Sequence, residues 1–419
     1  MNASIGFIGT GQRASAYGVN LRRLEKLQPE FVALCDPNPD NLATFNRLYA
    51  GGKAALYSDY REMLARHPDL AGVVICTPND THEEIAVAAM RGGAHLILEK
   101  PLAHTPQACA NILRASREFN RSVTLGFCLR YTTSCSKLRE LVRSGVCGRI
   151  TSVTADERVS PGVTRLMMGT WRRTEARSGG SLLEKDCHGL DIINWIMGRL
   201  PVRVSSFGGR LVFGKREGAG PRCRECRFAD TCAYWFDAGN AQAMAAKNAE
   251  WRNMITWDDA CLFDGGADLC DNQAVIMEYD DGAVLNYGIT FNADHCGRHY
   301  RFIGTDGRVE GVAGGEQLEV ARLRPHHHEL VPVVADGGGH GGGDREVCRA
   351  FERALTEPGY QPLATVQAGF ASAMVAFAAD RSRRERRPVE LAELYGEVGI
   401  IAEEMPASFF RDEESKPVV

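Results

Sequence analysis

The sequence predicts an α/β chain of two domains, the first built on a parallel sheet and the second on a large, mostly antiparallel open sheet. Three observations carry this. Residues 1–125 alternate short apolar runs with stretches of helical period. From residue 150 onward, apolar runs follow one another with turn signals between them. The length, 419 residues, is more than one ordinary core holds.

In the first part, residues 4–8, 31–35, 72–76, 94–98 and 122–127 read as strands, and 81–91 and 106–118 as amphipathic helices. Strands alternating with helices of this length make βαβ units and a parallel sheet. In the second part a strand begins at 150–155, and a helix over 182–197 follows Gly179-Gly180. Strands are expected at 202–213, 273–279, 284–291 and 300–304, with turns at Asp281-Gly282 and Asp306-Gly307. Such a sheet needs helices on one face to bury it. The glycine-rich run 337–343 reads as a loop, with helices at 345–355 and 366–381 after it. His326-His327-His328 reads as a solvated loop, and the tail from Arg411 as polar and frayed. The expected division is 1–125, 126–405 with a cysteine-rich insertion at 215–270, and a polar tail at 406–419.

Composition excludes several classes. Hydrophobic residues make up 44% and charged residues 24%, ordinary for a globular protein. A formal net charge of −4 gives no reason to expect nucleic-acid binding. No apolar run reaches the roughly 20 residues of a membrane helix. The N-terminus shows no basic segment ahead of a long apolar core, so a cytoplasmic location is expected.

The run Ile5-Gly6-Phe7-Ile8 enters Gly9-Thr10-Gly11-Gln12-Arg13-Ala14, a G-x-G-x-x-A element between a strand and a helix. Gly9 permits the tight turn, Gly11 lets a pyrophosphate approach the backbone, and Ala14 lets helix and strand pack closely. The helix N-terminus offers free N–H groups to the phosphates. Asp36 ends the second strand at the spacing where a carboxylate accepts bonds from the adenosine ribose hydroxyls. It would repel a 2′-phosphate, so NAD is expected over NADP. These features predict a Rossmann domain.

Further motifs recur in order along the chain: Val74-Ile75-Cys76-Thr77-Pro78-Asn79 with His82, then Glu99-Lys100-Pro101, then Gly179-Gly180 leading to His188 and Asp191. In these the sequence resembles the glucose–fructose oxidoreductase, inositol dehydrogenase and rhizopine-catabolism family (Gfo/Idh/MocA). The resemblance implies a Rossmann domain plus an oligomerising α/β domain. It implies cofactor contacts from Thr77, Pro78, Asn79, His82, Glu99 and Lys100, a cis Lys100–Pro101 bond, and Arg130 at the cofactor, the substrate or the domain junction.

The chemistry is legible beside the resemblance. Oxidising an alcohol needs a proton acceptor at the hydroxyl and a cofactor for the hydride. Lys100 ends a parallel strand, where open α/β sheets bind ligands. Glu184 and His188 lie four apart on one helix and so share a face. The family's usual pattern there is Asp-x-x-x-His, which implies His188 as general base and Glu184 as holder of a neighbouring hydroxyl; Glu replaces Asp here. Lys185 and Asp191 are candidate substrate contacts, and Lys185 and Asp186 crowd the same turn. His340 and Asp344 are in reach of the pocket, with Asp344 alternatively capping a helix.

Fourteen cysteines are scattered along the chain. Most read as small buried hydrophobes. Cys223 and Cys226 form C-x-x-C, with Cys232 in the same insertion and Cys261 further on. Four such thiolates suit a structural zinc, with an iron–sulfur cluster as the alternative.

The sequence thus predicts an NAD-dependent oxidoreductase acting on a secondary hydroxyl of a sugar, glycoside or cyclic polyol, as a homodimer or homotetramer. A glycoside hydrolase that retains and recycles its NAD would use the same residues. A non-catalytic NAD-binding sensor would be expected to lack Lys100 or His188, and both are present.

Overall fold

A computed structural model describes residues 2–237, 259–334 and 337–400. The expected tail at 406–419, residues 401–405 and the middle of the cysteine-rich insertion lie outside the described residues.

Six strands form the first sheet: β1 (Asn2–Ile8), β2 (Gln28–Cys35), β3 (Ala55–Tyr57), β4 (Gly72–Ile75), β5 (His95–Leu98) and β6 (Val123–Leu125). Their order is β3-β2-β1-β4-β5-β6, and every pairing is parallel. β3 had no signal in the sequence because it is only three residues long. The register aligns Ile8 with Cys35 and Ile75, and Ile75 with Leu98. The segments after these four residues therefore emerge at one edge: the glycine loop, Asp36, Thr77 and Glu99-Lys100. That carboxyl edge is where such sheets bind ligands. The helix Gly343–Thr356, far along the chain, packs back on this domain. Its Val347, Cys348 and Phe351 join a core with Ile5, Phe7 and Phe31.

Nine strands form the second sheet: β7 (Ile150–Arg158), β8 (Pro201–Gly209), β9 (Asn272–Tyr279), β10 (Val284–Thr290), β11 (Gly297–Gly304), β12 (Gly307–Val312), β13 (Gln317–Arg322), β14 (His327–Pro332) and β15 (Val389–Glu390). The order is β14-β13-β12-β11-β7-β10-β9-β8-β15. Only β7 and β10 pair in parallel. Inward positions such as Val153, Met277, Leu285 and Phe302 share one core with the helices Ser181–Met197 and Val366–Glu385. On the opposite face Phe207, Ile276, Val284 and Ile303 are exposed.

Two expectations are corrected. The strand expected over 202–213 ends at Gly209. The buried Asp271 carboxylate accepts the N–H groups of Leu211, Val212 and Phe213 at 2.8–2.9 Å and turns the chain out of the ladder. The histidine run is not a loop: His327 and His328 begin the edge strand β14. Their side chains are half-exposed, and His328 lies 2.7 Å from Glu319 on β13. An edge strand with no buried face shows no apolar alternation to read.

Arg130 and Asp191 fasten the site helix to the segment after β6. The guanidinium donates twice to the carboxylate, at 2.7 Å each, and once to the Leu363 carbonyl at 2.9 Å. Both side chains are almost fully buried, at 1% and 2% exposure. Removing one partner strands a buried charge. Asp191→Ala is expected to cost about 3–5 kcal/mol, measured as a shift of the urea midpoint; an unchanged midpoint would contradict this role.

Candidate active site

The glycine loop has the shape a dinucleotide requires. Gly9 has φ +83°, and a Cβ there would lie 2.7 Å from the Cys76 carbonyl. Gly11 precedes the helix Gln12–Leu21, and a Cβ on it would meet nothing within 4 Å. A phosphate can therefore approach that backbone. Asp36 accepts the Thr10 N–H at 2.7 Å and the Thr10 hydroxyl at 3.2 Å, so its carboxylate is fixed beside the loop. Thr77 and Pro78 lie on the adjoining loop at the same edge. These residues fit a dinucleotide.

Other expected cofactor residues are engaged with protein. His82 is fully buried between two carbonyls, with Nδ1 3.0 Å from Pro101 O and Nε2 3.0 Å from Thr77 O. It braces the loops after β4 and β5 against each other, and burial lowers its pKa. Arg13 is engaged by two carboxylates. Its guanidinium pairs with Glu99 and, at 2.6 Å, with Asp344. Tyr17 donates its hydroxyl to the same Glu99 carboxylate.

Lys100 follows β5, and its peptide bond to Pro101 is cis, as the resemblance implied. Its Nζ donates to the Glu184 main-chain carbonyl at 2.6 Å and lies 3.5 Å from the Glu184 carboxylate. That carboxylate also accepts from the Asn79 amide at 2.7 Å and from Arg172 Nε at 2.7 Å. Burial opposes its ionisation, but Lys100 and Arg172 outweigh burial and hold its pKa below the usual value. Gly179, just ahead of the site helix, packs against His104 on the loop after β5. Its φ is +83°, and a Cβ would lie 2.8 Å from the His104 carbonyl.

His188 lies one turn further along the site helix, its ring 5.5 Å from that of Phe127. Its Nδ1 is buried with no hydrogen-bond partner among the described residues. Burial, then the charges of Lys100 and Arg298, hold its pKa well below 6.5. The ring is therefore neutral at pH 7 and able to accept a proton. Lys185 reaches Glu157 on β7 at 2.9 Å, and Arg298 on β11 pairs with the same carboxylate. Asp186 is buried beside them. Burial and the charge of Glu157 push its pKa well up, which favours its neutral form.

Asp191, expected at the substrate, is paired with Arg130 as described above, so neither is turned toward a ligand. Asp344 does not cap its helix with its side chain. It binds Arg13 and lies 3.0 Å from His340 Nδ1. Cys128, His340 and Asp344 hold ligand atoms within 4.8 Å of one another. The Arg13 guanidinium already supplies positive charge at that carboxylate. Arg172, Glu157 and Arg298 were not found from the sequence. Each meets its partner from a different element, without a spacing signal. Cys223, Cys226, Cys232 and Cys261 line a separate cavity.

A Rossmann sheet that brings a lysine and a neutral histidine to its cofactor edge is the framework of a dinucleotide-dependent oxidoreductase. Comparison with known proteins agrees. Residues 3–127 match the family model for the oxidoreductase NAD-binding Rossmann fold, and 139–391 match its C-terminal alpha/beta domain. The chain belongs to the Gfo/Idh/MocA oxidoreductase family. It is 27% identical over 398 residues to the YteT protein of Bacillus subtilis, covering 87% of this chain and 92% of that one. It is 31% identical over 170 residues to D-glucoside 3-dehydrogenase of Escherichia coli, which is 40% of this chain and 47% of the relative. A solved levoglucosan dehydrogenase, in complex with NADH and levoglucosan, shares the fold with a TM-score of 0.73 at 20% identity, over 93% of this chain and 100% of that one.

The His340–Asp344 contact has a pH consequence. Hydrogen bonds to Asp344 and Cys128 raise the His340 pKa to about 10. A raised histidine pKa contributes stability that is present in full below about 6.5 and is lost as pH rises toward the folded value. The imidazole is half-exposed, so solvent screens part of the effect. Melting temperature is expected to decline between pH 6.5 and 10, and to decline less in His340→Asn. Equal slopes in the two proteins would contradict the pairing.

Proposed function

We propose that this protein oxidises a secondary hydroxyl of a sugar, glycoside or cyclic polyol. The observation that carries the reading is Lys100 at the carboxyl edge of the Rossmann sheet, near enough to the buried His188 for its charge to lower that imidazole's pKa. A nicotinamide dinucleotide, when bound, supplies the acceptor for the substrate's hydride. The chain's own groups handle the proton. Lys100 Nζ donates a hydrogen bond to the reacting oxygen and lowers its pKa. His188 takes the hydroxyl proton as the carbonyl forms. Glu184 is a positioning residue: its carboxylate is held by Asn79 and Arg172, and it anchors Lys100. This differs from the hydroxyl-binding role that the resemblance implied. Lys185 is held by Glu157, which argues against a direct substrate contact in this state. Asp36 favours NAD over NADP, since a 2′-phosphate would meet its carboxylate.

The names of two relatives, a glucoside dehydrogenase and a levoglucosan dehydrogenase, support the substrate class. Fourteen unpaired cysteines suit the reducing conditions of a cytoplasm. No helix of the described residues is long and apolar enough to cross a membrane.

The experiment is a panel of sugars, glycosides and cyclic polyols offered with NAD or NADP, followed at the reduced-nicotinamide absorbance. Turnover with NAD is expected. His188→Asn and Lys100→Ala are each expected to lower kcat by about 10²–10⁴-fold while dinucleotide binding persists. Wild-type kcat/KM is expected to hold level down to pH 6.5 and to fall only below it. Unchanged turnover in either variant would refute the assignment. Cleavage of an aryl glycoside with dinucleotide retained and no net reduction would replace it with the glycoside hydrolase.

The exposed apolar residues on the outer face of the second sheet support a homodimer or homotetramer. Phe207, Ile276 and Val284 sit on the adjacent strands β8, β9 and β10, and Ile303 on β11, beyond β7. Light scattering at micromolar concentration is expected to return a multiple of 45.9 kDa, and a monomer mass would remove the idea.

A further inference from the structure

We propose that Cys223, Cys226, Cys232 and Cys261 bind one zinc ion, and that this ion holds the platform that carries Arg172 to Glu184. The inference does not depend on the reaction proposed above.

The first observation is convergence. All four cysteines line one cavity, and all are free thiols. The chain itself brings them together. Arg222 and Ala260 form an antiparallel bridge, the Cys223 N–H donates to Asp259 O at 2.7 Å, and the Cys261 N–H donates to Pro221 O at 2.9 Å. The two ends of the insertion are thereby clasped, so Cys261 lies beside the C-x-x-C pair despite its distance in sequence. The cavity, which Phe228, Tyr234, Trp235 and Phe263 also line, measures about 10 Å³, roughly one water-sized sphere. Thiolates at C-x-x-C spacing suit a single tetrahedral ion. No three of the four sulfurs lie within 4.8 Å of one another, so binding an ion at about 2.3 Å from each requires their side chains to move inward.

The second observation is the environment of the sulfurs. The Phe263 N–H donates to Cys261 Sγ at 3.4 Å, two residues along the chain. The N–H groups of Gly220 and Phe228 hydrogen-bond to Cys226. Arg165 Nη2 lies 3.6 Å from Cys223 Sγ. Four thiolates around one zinc ion carry a net charge of about −2, and N–H donors and a guanidinium offset it. Asp259, the nearby carboxylate, is already held by Arg222 and Arg224.

The third observation links this knot to the active site. Arg165 donates to Ala260 O at 2.9 Å and to Tyr234 O at 2.5 Å, on either side of the cysteine cavity. Arg173 pairs with Asp264 at 3.1 Å and accepts the Asp268 N–H at 3.1 Å. The Glu175 N–H donates to Asp268 at 2.7 Å. Segment 165–175 is thus laced to the insertion at both ends, and Arg172 on that segment meets Glu184 at 2.7 Å. With four protein ligands the ion has no open position, so its role is structural.

The test is metal analysis of full-length protein purified without metal-affinity resin. About one zinc per chain is expected, falling to near zero in Cys226→Ser and Cys261→Ser. Absence of stoichiometric zinc in the wild-type protein, or iron with acid-labile sulfide in its place, would overturn the assignment, and this holds even if the variants fail to fold. Hydrogen exchange of wild-type protein before and after chelation tests the second half. Faster exchange at 165–178, with strands β1, β4 and β5 still protected, is expected. Zinc removal that leaves 165–178 unchanged would sever the ion from the platform.

Discussion

The buried Glu184 carboxylate is the point on which this active site depends. Lys100 from the end of β5, Asn79 from the loop after β4, and Arg172 from the turn at 171–173 all meet it. A carboxylate at 3% exposure would be costly alone. Two cations and an amide make its ionised form favourable, and it in turn fixes them. One side chain therefore ties the Rossmann edge to the second domain. The position of Lys100 follows from that tie, and the role proposed for its ammonium needs a fixed direction.

The charge around this point also sets the state of His188. Lys100 and Arg298 disfavour a positive imidazole, and burial adds to them. The same cations are themselves neutralised, Lys100 by Glu184 and Arg298 by Glu157. Burial and the charge of Glu157 favour the neutral form of Asp186. The imidazole proposed above as proton acceptor is thus favoured in its uncharged form beside a fixed ammonium.

Local signals made the first domain and the core of the site legible in the sequence. The strand–glycine–helix element is contiguous, and Glu184 and His188 are one helical turn apart, so spacing alone places them. Lys100 was legible as the end of a parallel strand. What the sequence withheld were long-range partners. Arg172 reaches Glu184 from another turn, and Asp271 ends β8 from some sixty residues away. Arg13 and Asp191 are polar residues at motif positions that suggest ligand contact, yet each is satisfied by protein groups from elsewhere. The helix Gly343–Thr356 could not be assigned to the first sheet, because its apolar stripe says that it packs and not against what.

The most direct test of the account is Glu184→Gln, which keeps the shape of the side chain and removes its charge. The protein is expected to fold and to bind dinucleotide, with kcat on its best panel substrate lowered about 10²-fold as Lys100 loses its fixed direction. Wild-type kcat in that variant would contradict the claim that Glu184 positions the catalytic lysine.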